Sequence, residues 1–96
     1  VEEIAVRRKA ERGLDNRMSR YGWQSERDLF TRKEPGHRRL ATMLNDVLGK
    51  AIEGMAPPGA LAGMELVANG WVNVNPPGGY NAPHVHPEAL LSGSYY

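Results

Sequence analysis

The Pro57-Pro58-Gly59 step divides the chain into two hydrophobic periodicities, and this restricts its fold more than any other feature. Before the step, Leu40, Leu44, Val47, Leu48, Ala51, Ile52 and Met55 recur at intervals of three and four between Pro35 and Pro57. That spacing predicts a helix with one apolar face. It reads as a packing element, in which Met43 and Met55 fill apolar space and serve no cofactor. A shorter amphipathic helix is predicted from Val1 to about Asp15, where Ile4, Ala5, Ala10 and Leu14 stand among charges and Gly13 weakens the end. After the step the period falls to two. Met64 to Asn75 is rich in Val, and Trp71-Val72-Asn73-Val74-Asn75 alternates apolar with polar, which predicts a strand with one buried face and a place for a bulge at Gly70. Pro76-Pro77-Gly78-Gly79 forces a loop, because neither Pro donates to a ladder and both Gly tolerate positive φ. Pro83 to Pro87 is predicted to be short and extended, and Leu90 to Tyr96 to be a further strand. The chain therefore reads as α+β, with helices in front and mainly β structure behind.

At 96 residues the chain makes one small domain at most, with a modest core. It has no Cys, so a metal would have to be held by nitrogen and oxygen ligands. Charge is uneven: residues 1 to 40 carry eleven basic against seven acidic side chains, a balance of +4, while residues 41 to 96 carry one against four, a balance of −3. The basic residues alternate with Glu and Asp and lack interleaved aromatics, which argues for a solvated helical surface and against a nucleic-acid partner. A second use of that surface is an interaction domain docking through Arg7, Arg8, Arg12, Arg38 and Arg39. Val1 to Glu11 is neither the apolar core of a signal peptide nor a membrane span, so a soluble, cytoplasmic protein is expected.

Candidate chemistry is concentrated in Tyr80-Asn81-Ala82-Pro83-His84-Val85-His86-Pro87-Glu88. On an extended chain, residues two apart share a face, so His84, His86 and Glu88 are expected to point the same way as three potential ligands. Two imidazoles, or an imidazole and a carboxylate, can occupy adjacent corners of one ion, and such nitrogen-oxygen sites with open positions suit non-haem iron. Pro83 and Pro87 stiffen the flanks. On spacing alone the pair is equally readable as polar residues of a loop. His37, beside Pro35, Gly36, Arg38 and Arg39, reads as an exposed histidine at a helix start.

Three blocks in order add a resemblance. Tyr21-Gly22-Trp23-Gln24-Ser25, then Trp71-Val72-Asn73-Val74-Asn75, then His84-Val85-His86-Pro87 followed by Leu91-Ser92-Gly93-Ser94-Tyr95-Tyr96 resemble the 2OG-Fe(II) oxygenase family of bacteria and phages. The resemblance runs from about Tyr21 to the last residue. It implies a double-stranded β-helix, a jelly-roll or cupin-like barrel, of which this chain would hold only the N-terminal part. Residues 1–60 would be a helical region packing on the barrel, and residues 61–96 its first strands, truncated. It also implies an iron(II)- and 2-oxoglutarate-dependent oxygenase acting on a small-molecule or peptide substrate, with a homodimer compatible with it. His84 and His86 take the places of the first two metal ligands. The wider superfamily often has H-x-D or H-x-E there, so the alternative pair is His86 with Glu88. Tyr95 and Tyr96 lie on opposite faces of their predicted strand, and the one facing the pocket could donate its hydroxyl to a co-substrate carboxylate. Asn75, with Asn73 and Asn81, is a weaker candidate for that role, since such residues more often satisfy backbone groups. No catalytic residue beyond the metal ligands is expected here. A distal His and an Arg for the far carboxylate of 2-oxoglutarate are not found in the chain. A cupin-like metal-binding barrel without oxygenase activity is the rival reading, in which Gly78 and the His84-Val85-His86 run would open a cupin motif.

Overall fold

The computed structural model describes residues 1–14 and 19–96, with 19 and 20 as backbone only. The chain runs α1 (Glu2–Ala10), β1 (Ser19–Arg20), β2 (Trp23–Gln24), α2 (Pro35–Met55), β3 (Asn73–Val74) and β4 (Tyr80–Asn81).

Helix α1 has Glu2 and Glu3 in its first turn and Arg7, Arg8 and Lys9 in its last, the arrangement that complements the helix dipole. Nine residues are too few to hold a helix in water, so its stability has to come from tertiary contacts. It stops short of the expected end. Asp15, where that end was placed, lies outside the described residues, but the helix already closes at Ala10, with Glu11 extended and Gly13 in the left-handed region at φ +77. The indole of Trp23 then donates to Glu11 O at 3.1 Å, and Leu14 N–H donates to Gln24 O at 2.9 Å. These bonds tie the helix exit to β2.

Helix α2 spans the 21 residues between the two Pro signals. Pro35 sits in its first turn, where its fixed φ suits a helix start and its missing N–H costs nothing. The N-cap residue Glu34 makes no side-chain cap of its own. The cap is tertiary: Glu3 of α1 accepts from Gly36 N–H at 2.8 Å and from His37 N–H at 2.9 Å. A carboxylate thus satisfies two orphan donors at the positive end of the helix.

The four strands form two antiparallel pairs, β1 with β4 and β2 with β3. The pairs are successive stretches of one alignment, Ser19↔Asn81 and Arg20↔Tyr80 followed by Trp23↔Val74 and Gln24↔Asn73. Between them Tyr21 and Gly22 face the longer run from Asn75 to Gly79, which loops out in a turn closed by Gly79 N–H to Pro76 O at 2.8 Å. Two adjacent prolines cannot donate to a ladder, and this is why the run leaves it. Beyond β2 the alignment continues through Ser25 N–H to Val72 O at 2.9 Å, Val72 N–H to Ser25 Oγ at 2.9 Å and Leu29 N–H to Gly70 O at 3.0 Å. Gly70, the expected bulge, is a point of close approach. A Cβ there would lie 2.8 Å from Phe30 and 3.0 Å from the Leu29 side chain.

This is not a double-stranded β-helix. Among the described residues the strands are two residues each, in two separate two-stranded sheets, and no barrel closes. The predicted strand from Met64 is paired only from Gly70 onward, and neither 83–87 nor Leu90–Tyr96 forms a strand. A strand needs a neighbour for its backbone groups, and Pro83 and Pro87 interrupt whatever ladder 80–81 begins. The apolar face of α2 is correspondingly open. Ala41 is buried, Leu44 and Leu48 are half-buried, and Met43, Val47 and Met55 are exposed. Among the described residues the buried apolar side chains are Leu29 and Ala41, while Arg7, Gln24, Ser25 and His37 are buried polar ones. Among the described residues no helix is long and apolar enough to cross a membrane.

Candidate metal-ligating histidine pair

The pairing of β4 with β1 places Tyr80 and Asn81 on the sheet, and the chain leaves it through Ala82 and Pro83. His84 folds back on this exit. Its Nδ1 lies 2.8 Å from Ala82 O. A carbonyl only accepts, so Nδ1 carries the proton and donates, and Nε2 holds the lone pair available to a ligand. The His86 ring stands edge-on to that of His84, with centroids 4.9 Å apart and planes at 73°. On its other side His86 meets Trp71, centroids 5.9 Å apart. The indole belongs to the segment fastened by three hydrogen bonds to residues 25–29, so the second histidine leans on a tied stretch of backbone.

The expected third member is not with them. Pro87 and Glu88 form a turn closed by Ala89 N–H to His86 O at 3.1 Å, which ends the two-residue alternation that was to aim Glu88 with the histidines. Among the described residues no group of three or more His, Cys, Asp or Glu is arranged to hold a metal ion. Imidazole is a nitrogen donor that divalent metals accept, and the two rings stand side by side, one with its Nδ1 engaged by a backbone carbonyl. Asn75 is exposed, its Nδ2 donating to Asn81 Oδ1 at 3.5 Å. Tyr95 and Tyr96 are both exposed at the end of the described chain, on no strand that would turn one of them toward the histidines.

A second cluster was not anticipated. His37, read as a surface histidine, is 4% exposed, and Arg7, read as part of a solvated face, is 2% exposed. Arg7 Nη1 lies 3.2 Å from His37 Nε2. Because a guanidinium never accepts, Nε2 must accept, and His37 Nδ1 donates to Glu3 Oε1 at 2.8 Å. Arg7 further donates to Glu11 Oε2 at 3.0 Å and to Asp28 Oδ1 at 2.9 Å, and lies over the Trp23 ring at 5.9 Å. Arg32 binds the other oxygens of the same two acids, at 3.0 Å and 3.3 Å, and also Glu34. Both ring nitrogens of His37 are therefore engaged, which removes it as a metal ligand. The i,i+4 pairs Arg7–Glu11 and Asp28–Arg32 are legible in the sequence, whereas the long-range links through Glu3 and His37 carry no local signal.

Within the cluster two carboxyls are held below their usual range. The His37 side chain first, then the Gly36 N–H, hold the Glu3 carboxyl down from its usual 4.5 to about 2. Glu34 is lowered mainly by Arg32, whose own pKa is raised chiefly by Glu34. A depressed carboxylate stabilises the fold above its unfolded pKa, and that contribution is lost as the group is protonated. For Glu3 the window runs from about pH 4.5 down to about 2. Thermal unfolding is therefore expected to fall more steeply across this window in the parent chain than in Glu3→Gln. Parallel curves would show that Glu3 does not cap α2.

Comparison of the chain with models of known families, with curated proteins and with solved structures finds no match.

Proposed function

We propose that this chain contributes His84 and His86 to the iron(II) centre of a 2-oxoglutarate-dependent oxygenase. The observation that carries the reading is the juxtaposition of the two imidazoles, 4.9 Å apart, with His84 Nδ1 engaged by Ala82 O so that Nε2 is the ligating atom. Fixing the tautomer of a ligating histidine through a backbone carbonyl is the usual way its orientation is set. The run of Trp71-Val72-Asn73-Val74-Asn75, His84-Val85-His86-Pro87 and Leu91-Ser92-Gly93-Ser94-Tyr95-Tyr96 supports the choice of iron and 2-oxoglutarate over other metal chemistry. Bound together, iron(II) and 2-oxoglutarate supply the oxidising chemistry. The chain's own residues orient the ligands: Ala82 O holds the His84 ring, and Trp71 stands against the His86 ring. The remaining ligands come from outside the described residues.

Anaerobic iron(II) titration is expected to show affinity reduced on the order of 100-fold in His84→Ala and in His86→Gln, with Glu88→Gln close to the parent. If Glu88→Gln fails and His84→Ala binds normally, the ligands are His86 and Glu88. The oxygenase reading is tested on the same iron-loaded protein. Adding 2-oxoglutarate without oxygen is expected to produce a visible charge-transfer band, and admitting oxygen to produce succinate. Folded protein that binds iron yet gives neither, above its His84→Ala variant, is a metal binder and no oxygenase.

A further inference from the structure

Arg27 lies beside the candidate site, over the ring of Trp71. It lies midway in the segment 25–29, whose ends are fastened to Val72 by two hydrogen bonds and to Gly70 by one. Trp71 occupies the middle of the facing segment. The same bonds that hold the indole therefore hold Arg27 opposite it, and the guanidinium lies over the Trp71 ring at 5.3 Å. His86 contacts that ring too, at 5.9 Å, so Arg27, Trp71, His86 and His84 form a continuous series of contacts. Arg7 and Arg32 are each held by carboxylates, but among the described residues Arg27 has none, and it is exposed.

A guanidinium laid on an aromatic face keeps its N–H donors along its edge, and those donors match the two oxygens of a carboxylate or phosphate. Loss of side-chain freedom, the main cost of recruiting a long exposed Arg, is already reduced by the stack. We propose that Arg27 is the anion-binding residue of this site and selects a substrate bearing an oxyanion, a carboxylate or a phosphate, beside the histidine pair. The proposal takes its catalytic meaning from the histidine-pair reading, but the binding itself requires no metal.

The test is a titration of the metal-free protein with glutarate and, separately, with phenyl phosphate, read by NMR at the Trp71 indole N–H and the Arg27 Nε–H. At least one probe is expected to shift both signals saturably, with the apparent Kd raised tenfold or more in Arg27→Gln and partly restored in Arg27→Lys, which keeps the charge without the fork. Added salt is expected to weaken binding. Preference between the probes identifies the oxyanion. Iron binding is titrated separately on the parent protein, so a failed iron titration with intact anion shifts rejects the metal reading alone. If the parent protein shows no saturable shift with either probe, or Arg27→Gln responds as the parent does, Arg27 has no such role, whether or not iron binds.

Discussion

Replacing Arg7 with Met is expected to lower the unfolding free energy by roughly 1.5–3 kcal/mol, the usual worth of a hydrogen bond to a charged group, because the acids left behind are part-exposed. The side chain is 2% exposed and serves three partners at once, His37 Nε2, Glu11 and Asp28, from three different parts of the chain. Met fills much of the volume and supplies none of those donors. Arg32 still reaches the second oxygens of Glu11 and Asp28, so the acids keep partial compensation, but His37 Nε2 is left with no donor. Arg7→Lys should fall between the two, because an ammonium cannot reproduce the geometry of the fork. Urea unfolding followed by far-ultraviolet dichroism measures the series. A loss below about 0.5 kcal/mol in Arg7→Met, the range of ordinary surface substitutions, would place Arg7 outside the structural core.

The second large effect is expected at Gly13, and it can be separated into its causes. With φ +77, Ala at this position carries a conformational cost of about 1–2 kcal/mol. A Cβ would also lie 2.3 Å from Gln24 O and 2.7 Å from Trp23 Nε1. Neither neighbour yields easily. Gln24 O accepts from Leu14 N–H and its residue is paired with Asn73, while the Trp23 indole is donating to Glu11 O. Relief of the overlap breaks one or more of these bonds, at about 1 kcal/mol each, so Gly13→Ala should lose on the order of 3 kcal/mol or more. Gly59 is the control. It has φ +78 with nothing within 4 Å of a Cβ, and Gly59→Ala should cost only the conformational part. Equal losses at the two positions in the same urea assay would mean that the close approach of Trp23 and Gln24 to Gly13 contributes nothing.

These two residues also show how far the sequence could be read. Gly13 was visible as a helix weakener, but the demand for glycine comes from a strand ten residues later folding back on it, which no local pattern encodes. The second helix was legible from Pro35 to Met55 because its signals are local: a period of 3.6 and a Pro at each boundary. The His84–His86 juxtaposition was legible for the same reason, since two residues on a short extended run share a face. Glu88 departs from that alternation, because Pro87 and Glu88 form a turn. Leu90–Tyr96 has the composition of a strand, and composition cannot provide the neighbouring strand that a ladder requires.

The sequence by itself determined where helices can run, where prolines break the ladder and that two histidines stand two residues apart, because each depends on backbone chemistry within a few residues. The tertiary structure alone decided that Glu3 caps α2, that His37 and Arg7 are buried, and that Arg27 and His86 meet on Trp71. Those outcomes depend on which distant segments share backbone hydrogen bonds, above all residues 19–29 with 70–81. A charge or a ring acquires its partner only when such pairing brings the two segments together, so its burial and its role follow from the pairing and cannot be read from its neighbours in the chain.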